Sequence, residues 1–313
     1  MANKLIAWIR IQELYKHPTV LFPFLLGNAI AWSEAGVIDW RVFAVSIVIT
    51  YFITNGAFIS NEYFDYESDR INVERVGGDK VGVTTTGGTR VLAEGLLPRR
   101  QVLIASLLFF IAAIPLGILL QFRLNTGILT MPFVLLGILG GLLYTAPPIR
   151  ASYRGFGELF MAIGFTVPIF AGYYIHQGLS WLPLIVALPW TVNVPALKTI
   201  REFPDYKADL AVNKRNLVVI FGKDKMAPVY ILLTVCTLIL FIPIIFIVKG
   251  VEVLLLLLPA FFLLRSLIPM IKGEWKNSEG LDVICKNGFI GMLFILVALM
   301  GIFVLGGFGV FLG

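Results

Sequence analysis

Long apolar runs alternate with short polar connections along almost the whole chain. A helix needs about 20 consecutive apolar residues to cross the hydrocarbon core of a bilayer. Nine runs reach or approach that length, at roughly 17–35, 42–62, 102–122, 124–145, 157–177, 180–200, 227–248, 251–271 and 288–311. The pattern therefore predicts an all-α fold, a multi-pass membrane protein with nine transmembrane helices.

Composition and charge placement favour the same interpretation. The 313 residues are 58% apolar and only 14% charged, whereas soluble proteins carry about 25% charged residues. With nine spans, nearly all cations fall on one side of the membrane, and the other side carries only Arg41, Arg123 and Lys249. Because cytoplasmic connections are enriched in Lys and Arg, we expect a cell-membrane protein with its N-terminus in the cytoplasm and its C-terminus on the opposite side. The net charge of +6 then describes a cytoplasmic rim, and no nucleic-acid partner is expected.

The first 17 residues, MANKLIAWIRIQELYKH, predict a short amphipathic segment on the membrane surface. Its apolar residues Leu5, Ile6, Ile9 and Leu14 are expected to face the bilayer. The two cysteines lie far apart, in or beside apolar segments. They predict neither a disulfide framework nor a metal cage.

Oxygen-bearing side chains cluster at the ends of the second and sixth spans. They form two rows: Asn61, Glu62, Asp65 and Asp69 in the first row, and Glu202, Asp205 and Asp209 in the second row. In a helix, positions four apart differ by about 40° and positions three apart by about 60°. Each row therefore presents its oxygens to one side, whereas Glu67 falls on the opposite side and is expected to be solvated.

The chemistry of the two rows points to magnesium. Mg²⁺ prefers oxygen ligands and binds through a few carboxylates together with substrate phosphates. Two facing rows predict a site for about two or three Mg²⁺ ions around a diphosphate. The cations that follow the rows are candidates for the remaining diphosphate oxygens; they are Arg70, Arg75 and Lys80 after the first row, and Lys214 and Arg215 after the second. The alternative is that these acids are solvated surface, but two rows on one side of the membrane favour a functional site.

The spacing NxxxDxxxD after the second span and DxxxD after the sixth resembles the UbiA superfamily of intramembrane prenyltransferases. The resemblance covers almost the whole chain. The passages most similar to the branch that prenylates 1,4-dihydroxy-2-naphthoate in menaquinone biosynthesis are GGTRVLAEGLLPRRQ (87–101), YTAPPIRASYRGFGE (144–158) and EFPDYKADLAVNKRNLVVIFG (202–222). The resemblance implies Mg²⁺-dependent transfer of a polyprenyl group from a polyprenyl diphosphate to an aromatic acceptor. It also implies a single domain over 1–313, with nine helices around a central cavity that opens at the cytoplasmic boundary.

The resemblance assigns roles to residues of this sequence. The implied metal ligands are Asn61, Asp65, Asp69, Glu202, Asp205 and Asp209, and the implied diphosphate-binding residues are Lys16, Arg70, Lys80, Arg201 and Lys214. The four aspartates and Tyr144 are the implied catalytic residues, with Tyr144 near the allylic carbon or the acceptor. From the sequence alone, Tyr144 is equally an interfacial anchor, and Lys16 can equally snorkel to the membrane surface.

Some positions depart from the pattern of the superfamily. This chain has Asn61-Glu62 where members often have Asn-Asp, Arg201-Glu202 where many have Asn-Glu, and Asn213-Lys214 where many have Gly-Lys. These changes bear on the choice of acceptor and on the geometry of the diphosphate. The four aspartates of the two motifs are intact.

Two cytoplasmic connections lie beside the site: 70–100, which is long for a membrane loop, and 201–226, which carries the second motif. The GVTTTGG centre of the first is flexible by composition. We expect this segment to form a lid that excludes water, with Lys80 or Arg90 facing the diphosphate; the alternative is a disordered connector. Glu158, which opens the fifth span, is expected to pair with Arg150 or Arg154, and the alternative is a role in orienting the acceptor.

Other classes of protein fit the pattern less well. A membrane transporter is expected to place polar groups near mid-bilayer and to show an internal repeat. A CDP-alcohol phosphotransferase carries a DGxxAR signature, which this sequence lacks, and a purely structural membrane protein has no use for two acidic rows. Within the superfamily, the alternative acceptors are 4-hydroxybenzoate, homogentisate, haem, a chlorophyll and the glycerol phosphate of archaeal ether lipids.

Overall fold

The computed structural model describes residues 2–71, 89–248 and 250–312. Over these ranges the protein contains helices, turns and irregular segments, and no β-strand. The α-helices are α1 Ala2–Ile11, α2 Pro18–Ala35, α3 Trp40–Phe64, α4 Tyr66–Ile71, α5 Arg99–Ile118, α6 Thr130–Leu143, α7 Gly157–Gln177, α8 Leu182–Arg201, α9 Tyr206–Ala211, α10 Leu217–Phe221, α11 Lys223–Ile239, α12 Phe241–Ile247, α13 Leu257–Ile271 and α14 Ser278–Leu312.

Seven helical stretches are long and apolar enough to cross a membrane. They are Trp40–Phe64, Arg99–Arg123, Gly157–Gln177, Leu182–Arg201, Lys223–Ile247, Val251–Ile271 and Ser278–Gly306. The prediction of an all-α, multi-pass membrane protein is therefore confirmed. The other two predicted spans are helical as well, but α6 has only 14 residues, and α2 carries Asn28 and Glu34 among its 18 residues.

Two helix boundaries differ from the predicted spans because of local backbone conformation or a proline. The fourth predicted span begins at 124, whereas α6 begins at Thr130. Asn125 (φ 53°) and Gly127 (φ 98°) have left-handed backbone conformations, which a right-handed helix cannot contain. The seventh span is interrupted at Leu240, because Pro243 has no N–H to donate to the carbonyl of Ile239.

Small residues bring α2 and α7 into close contact. A Cβ atom added to Gly27 would lie 2.1 Å from the carbonyl oxygen of Ile169, and one added to Gly172 would lie 2.4 Å from the carbonyl oxygen of Phe24. Glycine at such positions allows the backbones of membrane helices to approach closely. The α2–α7 pair forms one wall of the space between the helices.

Helix α1 is amphipathic, as the sequence predicts. Leu5, Ile6 and Ile9 are at least half exposed, whereas Ala7 and Ile11 are buried. The buried face packs in one hydrophobic cluster with Val91, Leu92 and Leu97, which precede α5. The N-terminal helix therefore also holds the segment that leads into α5.

Candidate functional site

A cavity of about 480 Å³ lies between α2, α3, α6, α7, α8 and α14. Its lining along α3 runs from Ser46 to Glu62, which is about 24 Å of helix at 1.5 Å per residue. The deeper wall is mostly apolar, with side chains such as Ile49, Phe133 and Ile175. The acidic residues lie where α3 and α8 end, so the cavity joins a charged end to a long apolar interior.

The first row reaches the cavity through a break in the helix. Helix α3 ends at Phe64 and α4 begins at Tyr66, so the row is not on one continuous helix as predicted. The backbone N–H of Asp65 still donates to the carbonyl of Asn61 (2.8 Å), and that of Asp69 donates to the carbonyl of Asp65 (2.9 Å). The spacing of one helical turn is thereby kept, and Asn61, Asp65 and Asp69 all line the cavity.

Neighbouring side chains hold the oxygens of the first row. The hydroxyl of Tyr153 donates to Oδ1 of Asp65 at 2.7 Å. The hydroxyl of Thr145 donates to Oδ1 of Asn61 at 2.9 Å. Because both donors lie in the segment after α6, this segment fixes the orientation of the row.

The second row also spans a break between helices. Helix α8 ends at Arg201, a turn covers 202–205, and α9 follows. Helix α9 packs against α4, so the two acidic rows meet at one end of the cavity. Glu202, Asp205 and Asp209 all line the cavity, and the N–H of Asp209 donates to the carbonyl of Asp205 at 2.9 Å.

Asp209 and Lys214 form the charged centre of this end. Nδ2 of Asn216 donates to Oδ2 of Asp209 at 2.7 Å, and Nζ of Lys214 lies 3.7 Å from Oδ1. Burial raises the pKa of Asp209, and the nearby Lys214 opposes this shift. Burial alone would lower the pKa of Lys214, but the carboxylates of Asp65 and Asp209 outweigh it and hold this pKa well above its ordinary value. Lys214 is therefore a fixed cation facing both rows.

The predicted diphosphate-binding cations do not all face the cavity. Lys16, Arg201 and Lys214 line it; Lys16 also pairs with Glu13 at 2.5 Å. Arg70 does not line the cavity, because its exposed guanidinium lies 3.5 Å from Glu67 on the surface of α4. Lys80 and most of the predicted lid lie outside the residues that the structure describes.

Glu62 uses its carboxylate to hold a turn. Its oxygens accept hydrogen bonds from the backbone N–H groups of Thr89 (2.6 Å) and Leu92 (3.3 Å). The side chain is buried although it borders the cavity. Glu62 therefore anchors Thr89 and Leu92, which lie in the segment that precedes α5. Glu67, in contrast, is exposed, as predicted.

Three further polar residues lie beside the second row. Tyr144 follows α6 and lines the cavity. Nζ of Lys198 makes a close ion pair with Glu202, so this predicted metal ligand is already engaged by a cation. Glu158 is buried nearby, and neither of its oxygens has a hydrogen-bond partner among the described residues. The predicted pairing of Glu158 with Arg150 or Arg154 is therefore wrong.

The donor set fits magnesium only in combination with a substrate. Among the described residues, no three His, Cys, Asp or Glu side chains are close enough together to hold one ion. Mg²⁺ typically takes one or two carboxylates from the protein and completes its coordination with phosphate oxygens and water. Asn61, Asp65, Asp69, Asp205 and Asp209 at one end of a cavity meet that requirement.

Several residues that support the site lie outside the two motifs. Lys198 pairs with Glu202 at the i,i+4 spacing of a helix, which the sequence shows. Tyr153 and Thr145 act through tertiary contacts that the local sequence pattern does not show. Asn216 is different, because its Oδ1 accepts from the N–H of Val219 (2.7 Å) and caps α10. An asparagine directly before an apolar run is a helix-start signal, so this residue was detectable in the sequence.

These features define a helical membrane protein whose cavity combines a carboxylate-rich, cation-bearing end with an apolar interior. Residues 20–282 match the UbiA prenyltransferase family. The chain belongs to this family, as the spacing of its motifs indicates.

Relatives within the family carry different named activities. The chain is 25% identical over 217 residues to the 2-carboxy-1,4-naphthoquinone phytyltransferase of Synechocystis and 24% identical over 205 residues to the 1,4-dihydroxy-2-naphthoate octaprenyltransferase of Bacillus subtilis. These matches cover 69% and 64% of this chain, and 66% and 61% of the relatives. The digeranylgeranylglyceryl phosphate synthase of Pyrococcus furiosus is 26% identical over 208 residues, which cover 65% of this chain and 64% of that protein.

Solved structures share the fold. A UbiA homologue from Archaeoglobus fulgidus bound to GPP and Mg²⁺ superposes with a TM-score of 0.68 at 15% identity, covering 98% of this chain and all of that one. A digeranylgeranylglyceryl phosphate synthase gives a TM-score of 0.67 at 19% identity, covering 96% of this chain and 99% of that one.

Proposed function

We propose that the protein transfers a polyprenyl group from a polyprenyl diphosphate to the aromatic acceptor 1,4-dihydroxy-2-naphthoate, with Mg²⁺ as cofactor. The observation that carries the proposal is that both acidic rows line one end of a single cavity whose interior is apolar. A polyprenyl diphosphate matches this cavity, because its anionic head suits the charged end with bound metal and its hydrocarbon tail suits the apolar interior.

The proposed reaction needs the site at a membrane boundary. We place α2 and α6 as the two remaining spans of a nine-helix bundle. The cation bias of the connections then puts the charged end of the cavity at the cytoplasmic side, with the N-terminus there and the C-terminus on the opposite side. In this arrangement the diphosphate enters from the cytoplasm while the tail stays at the depth of the lipid.

The residues of the chain have distinct parts in this reaction. Asn61 and the four aspartates of the two rows would hold Mg²⁺. The bound metal would supply positive charge that neutralises the departing diphosphate. Lys214, with Lys16 and Arg201, supplies fixed positive charge for the remaining oxygens, which is electrostatic stabilisation where charge develops. Tyr153 and Asn216 keep Asp65 and Asp209 oriented.

The cavity also controls the carbon chemistry. When the bond between the allylic carbon and the diphosphate oxygen breaks, the apolar walls keep water from the allylic cation. The ring of Tyr144, which lines the cavity, offers an aromatic face to that cation. An electron-rich ring carbon of the acceptor then forms the new carbon–carbon bond with the allylic carbon. In the naphthoate, that ring carbon bears the carboxylate, which leaves as CO₂.

A second acceptor is supported by a specific observation. The Pyrococcus furiosus relative, a digeranylgeranylglyceryl phosphate synthase, is as similar to this chain as the naphthoate relatives are. Geranylgeranylglyceryl phosphate is therefore the second candidate acceptor. Both reactions use the same diphosphate end of the cavity and differ in the nucleophile.

Product formation with defined substrates tests the proposal. Purified protein is given geranylgeranyl diphosphate, Mg²⁺ and either acceptor, and diphosphate and prenylated product are measured. We expect metal-dependent naphthoate product, loss of activity in EDTA that Mg²⁺ restores, and at least a hundred-fold loss in Asp65→Ala and Asp205→Ala. Glu67→Ala is the matched control, because it removes an exposed carboxylate from α4 outside the cavity. Full activity in both aspartate variants would refute the two-row site. If product forms with geranylgeranylglyceryl phosphate and not with the naphthoate, the proposed acceptor is wrong and the glycerol phosphate takes its place.

A further inference from the structure

A second cavity, of about 380 Å³, lies beside the first and shares none of its lining residues. Its wall consists of Arg150, Tyr153, Arg154, Val212, Asn213 and Arg215. Half of these side chains are guanidinium groups, and we call this cavity the arginine cleft. Its volume falls in the range of about 300–1,000 Å³ that is usual for small-molecule sites.

Among the residues that the structure describes, the three guanidinium groups have no acidic partner. Within the described parts of the chain, none of Arg150, Arg154 and Arg215 forms an ion pair. The buried Nε of Arg150 also lacks a hydrogen-bond acceptor among these residues. Like charges gathered in one concavity repel each other and attract anions. The cleft is therefore a concentration of positive charge that a bound anion would compensate.

The backbone of the cleft is unusual at two of its residues. Arg150 (φ 48°) and Asn213 (φ 55°) both adopt the left-handed conformation, which is sparsely populated by residues other than glycine and recurs at ligand clamps. The N–H of Arg215 donates to the carbonyl of Tyr153 at 3.1 Å. This bond ties the two cleft-forming segments together.

Tyr153 separates the arginine cleft from the substrate cavity. Its ring lies 4.0 Å from the guanidinium carbon of Arg150 and 5.3 Å from Nζ of Lys214. Its hydroxyl donates to Asp65, which lines the substrate cavity. One side chain thus contacts cations of both cavities and a carboxylate of the first row.

We infer that the arginine cleft binds a phosphate-bearing anion. Planar guanidinium groups pair with phosphate oxygens through two parallel hydrogen bonds, and three of them suit a group with several charged oxygens. The anion has two possible sources, free diphosphate or the headgroup of an anionic phospholipid. Because the cleft lies outside the substrate cavity, the inference does not depend on prenyl transfer being the reaction.

Binding of inorganic diphosphate in EDTA tests the cleft separately from the substrate cavity. Without metal, the acidic rows weaken diphosphate binding in the substrate cavity. The difference in binding between wild type and a variant changed only in the cleft, measured by titration calorimetry at constant ionic strength, then reports the cleft. We expect wild-type protein to bind and the variant Arg150→Gln/Arg154→Gln/Arg215→Gln to bind at least ten-fold more weakly. The matched control, Arg100→Gln/Lys272→Gln/Lys286→Gln, removes the same charge from exposed positions outside both cavities and should bind like wild type. If the cleft variant fails to fold, Arg154→Gln/Arg215→Gln replaces it, because both side chains are exposed.

Retention of lipid distinguishes the two sources. The same proteins are reconstituted with phosphatidylglycerol or phosphatidylcholine, extracted in detergent and examined by native mass spectrometry. Loss of retained phosphatidylglycerol in the cleft variant identifies a headgroup site, and loss of diphosphate binding identifies a site for the free anion. Equal binding of both probes by wild type and the cleft variant, or no binding of either probe by wild type, would overturn the inference.

Discussion

The carboxylate of Glu62 anchors the turn at 91–95 through Thr89 and Leu92, and its replacement by glutamine should loosen that turn. Glu62 accepts two backbone hydrogen bonds in a buried position, from Thr89 and Leu92. The isosteric amide of Glu62→Gln keeps only one acceptor oxygen. Its NH₂ group would face a backbone N–H, so one of the two donors loses its partner.

The structure sets the size of this effect. A hydrogen bond to a charged group contributes about 1.5–3 kcal/mol, and a buried donor left without a partner costs about 1–3 kcal/mol. We therefore expect the turn to lose about 2 kcal/mol of local stability. Because about 1.4 kcal/mol corresponds to a factor of ten, the turn should open roughly 30 times more often.

Hydrogen exchange measured by mass spectrometry checks this prediction directly. Peptides that cover 89–95 should exchange about 30-fold faster in Glu62→Gln, whereas peptides from α13 should not change. Glu67→Gln, on the exposed side of α4, is the matched control. Unchanged exchange over 89–95 would refute the reasoning, because the two hydrogen bonds would then contribute nothing to holding the turn.

Two further predictions concern side chains that support the acidic rows. Tyr153→Phe removes a hydrogen bond of 2.7 Å to a first-row carboxylate and should lower kcat/KM by about ten-fold or more without changing Tm; unchanged kinetics would show that the hydroxyl does not position the carboxylate. Lys198→Met leaves Glu202 buried without its ion-pair partner and should cost about 3 kcal/mol of stability. Adding Glu202→Gln should recover part of that loss in thermal unfolding, and strict additivity of the two changes would contradict a direct coupling.

The hydropathy pattern predicts the helices well and their interruptions poorly. Apolar length reports where a segment can be buried in lipid, and that requirement is shared by every spanning helix. The late start of α6 depends instead on left-handed backbone at Asn125 and Gly127. The break at Leu240 depends on one missing N–H at Pro243. Such local effects do not change the hydropathy of a window, so a pattern of apolar residues cannot reveal them.

The acidic rows were predictable although the helices that carry them are broken. The one-turn spacing survives because Asp65, Asp69 and Asp209 each donate their backbone N–H to the carbonyl four residues earlier. What the spacing cannot show is which neighbours engage each oxygen. The contact of Glu62 with Thr89 joins residues 27 positions apart, so it requires the tertiary structure. The pair of Glu202 with Lys198 has the i,i+4 spacing of a helix and is visible in the sequence.

Cations that are neighbours in the sequence of the cytoplasmic rim lie in different cavities of the structure. By charge bias alone, Lys214 and Arg215 are equivalent neighbours that follow the second row. In the structure, Lys214 lines the substrate cavity and Arg215 lines the arginine cleft. Lys214 lies 3.7 Å from a carboxylate oxygen of Asp209, whereas Arg215 has no carboxylate partner among the described residues. The positive-inside rule explains on which side of the membrane a cation lies. It does not require three guanidinium groups, each without a carboxylate partner in the described part of the chain, to share one cleft. That arrangement therefore calls for a ligand, and charge bias alone does not account for it.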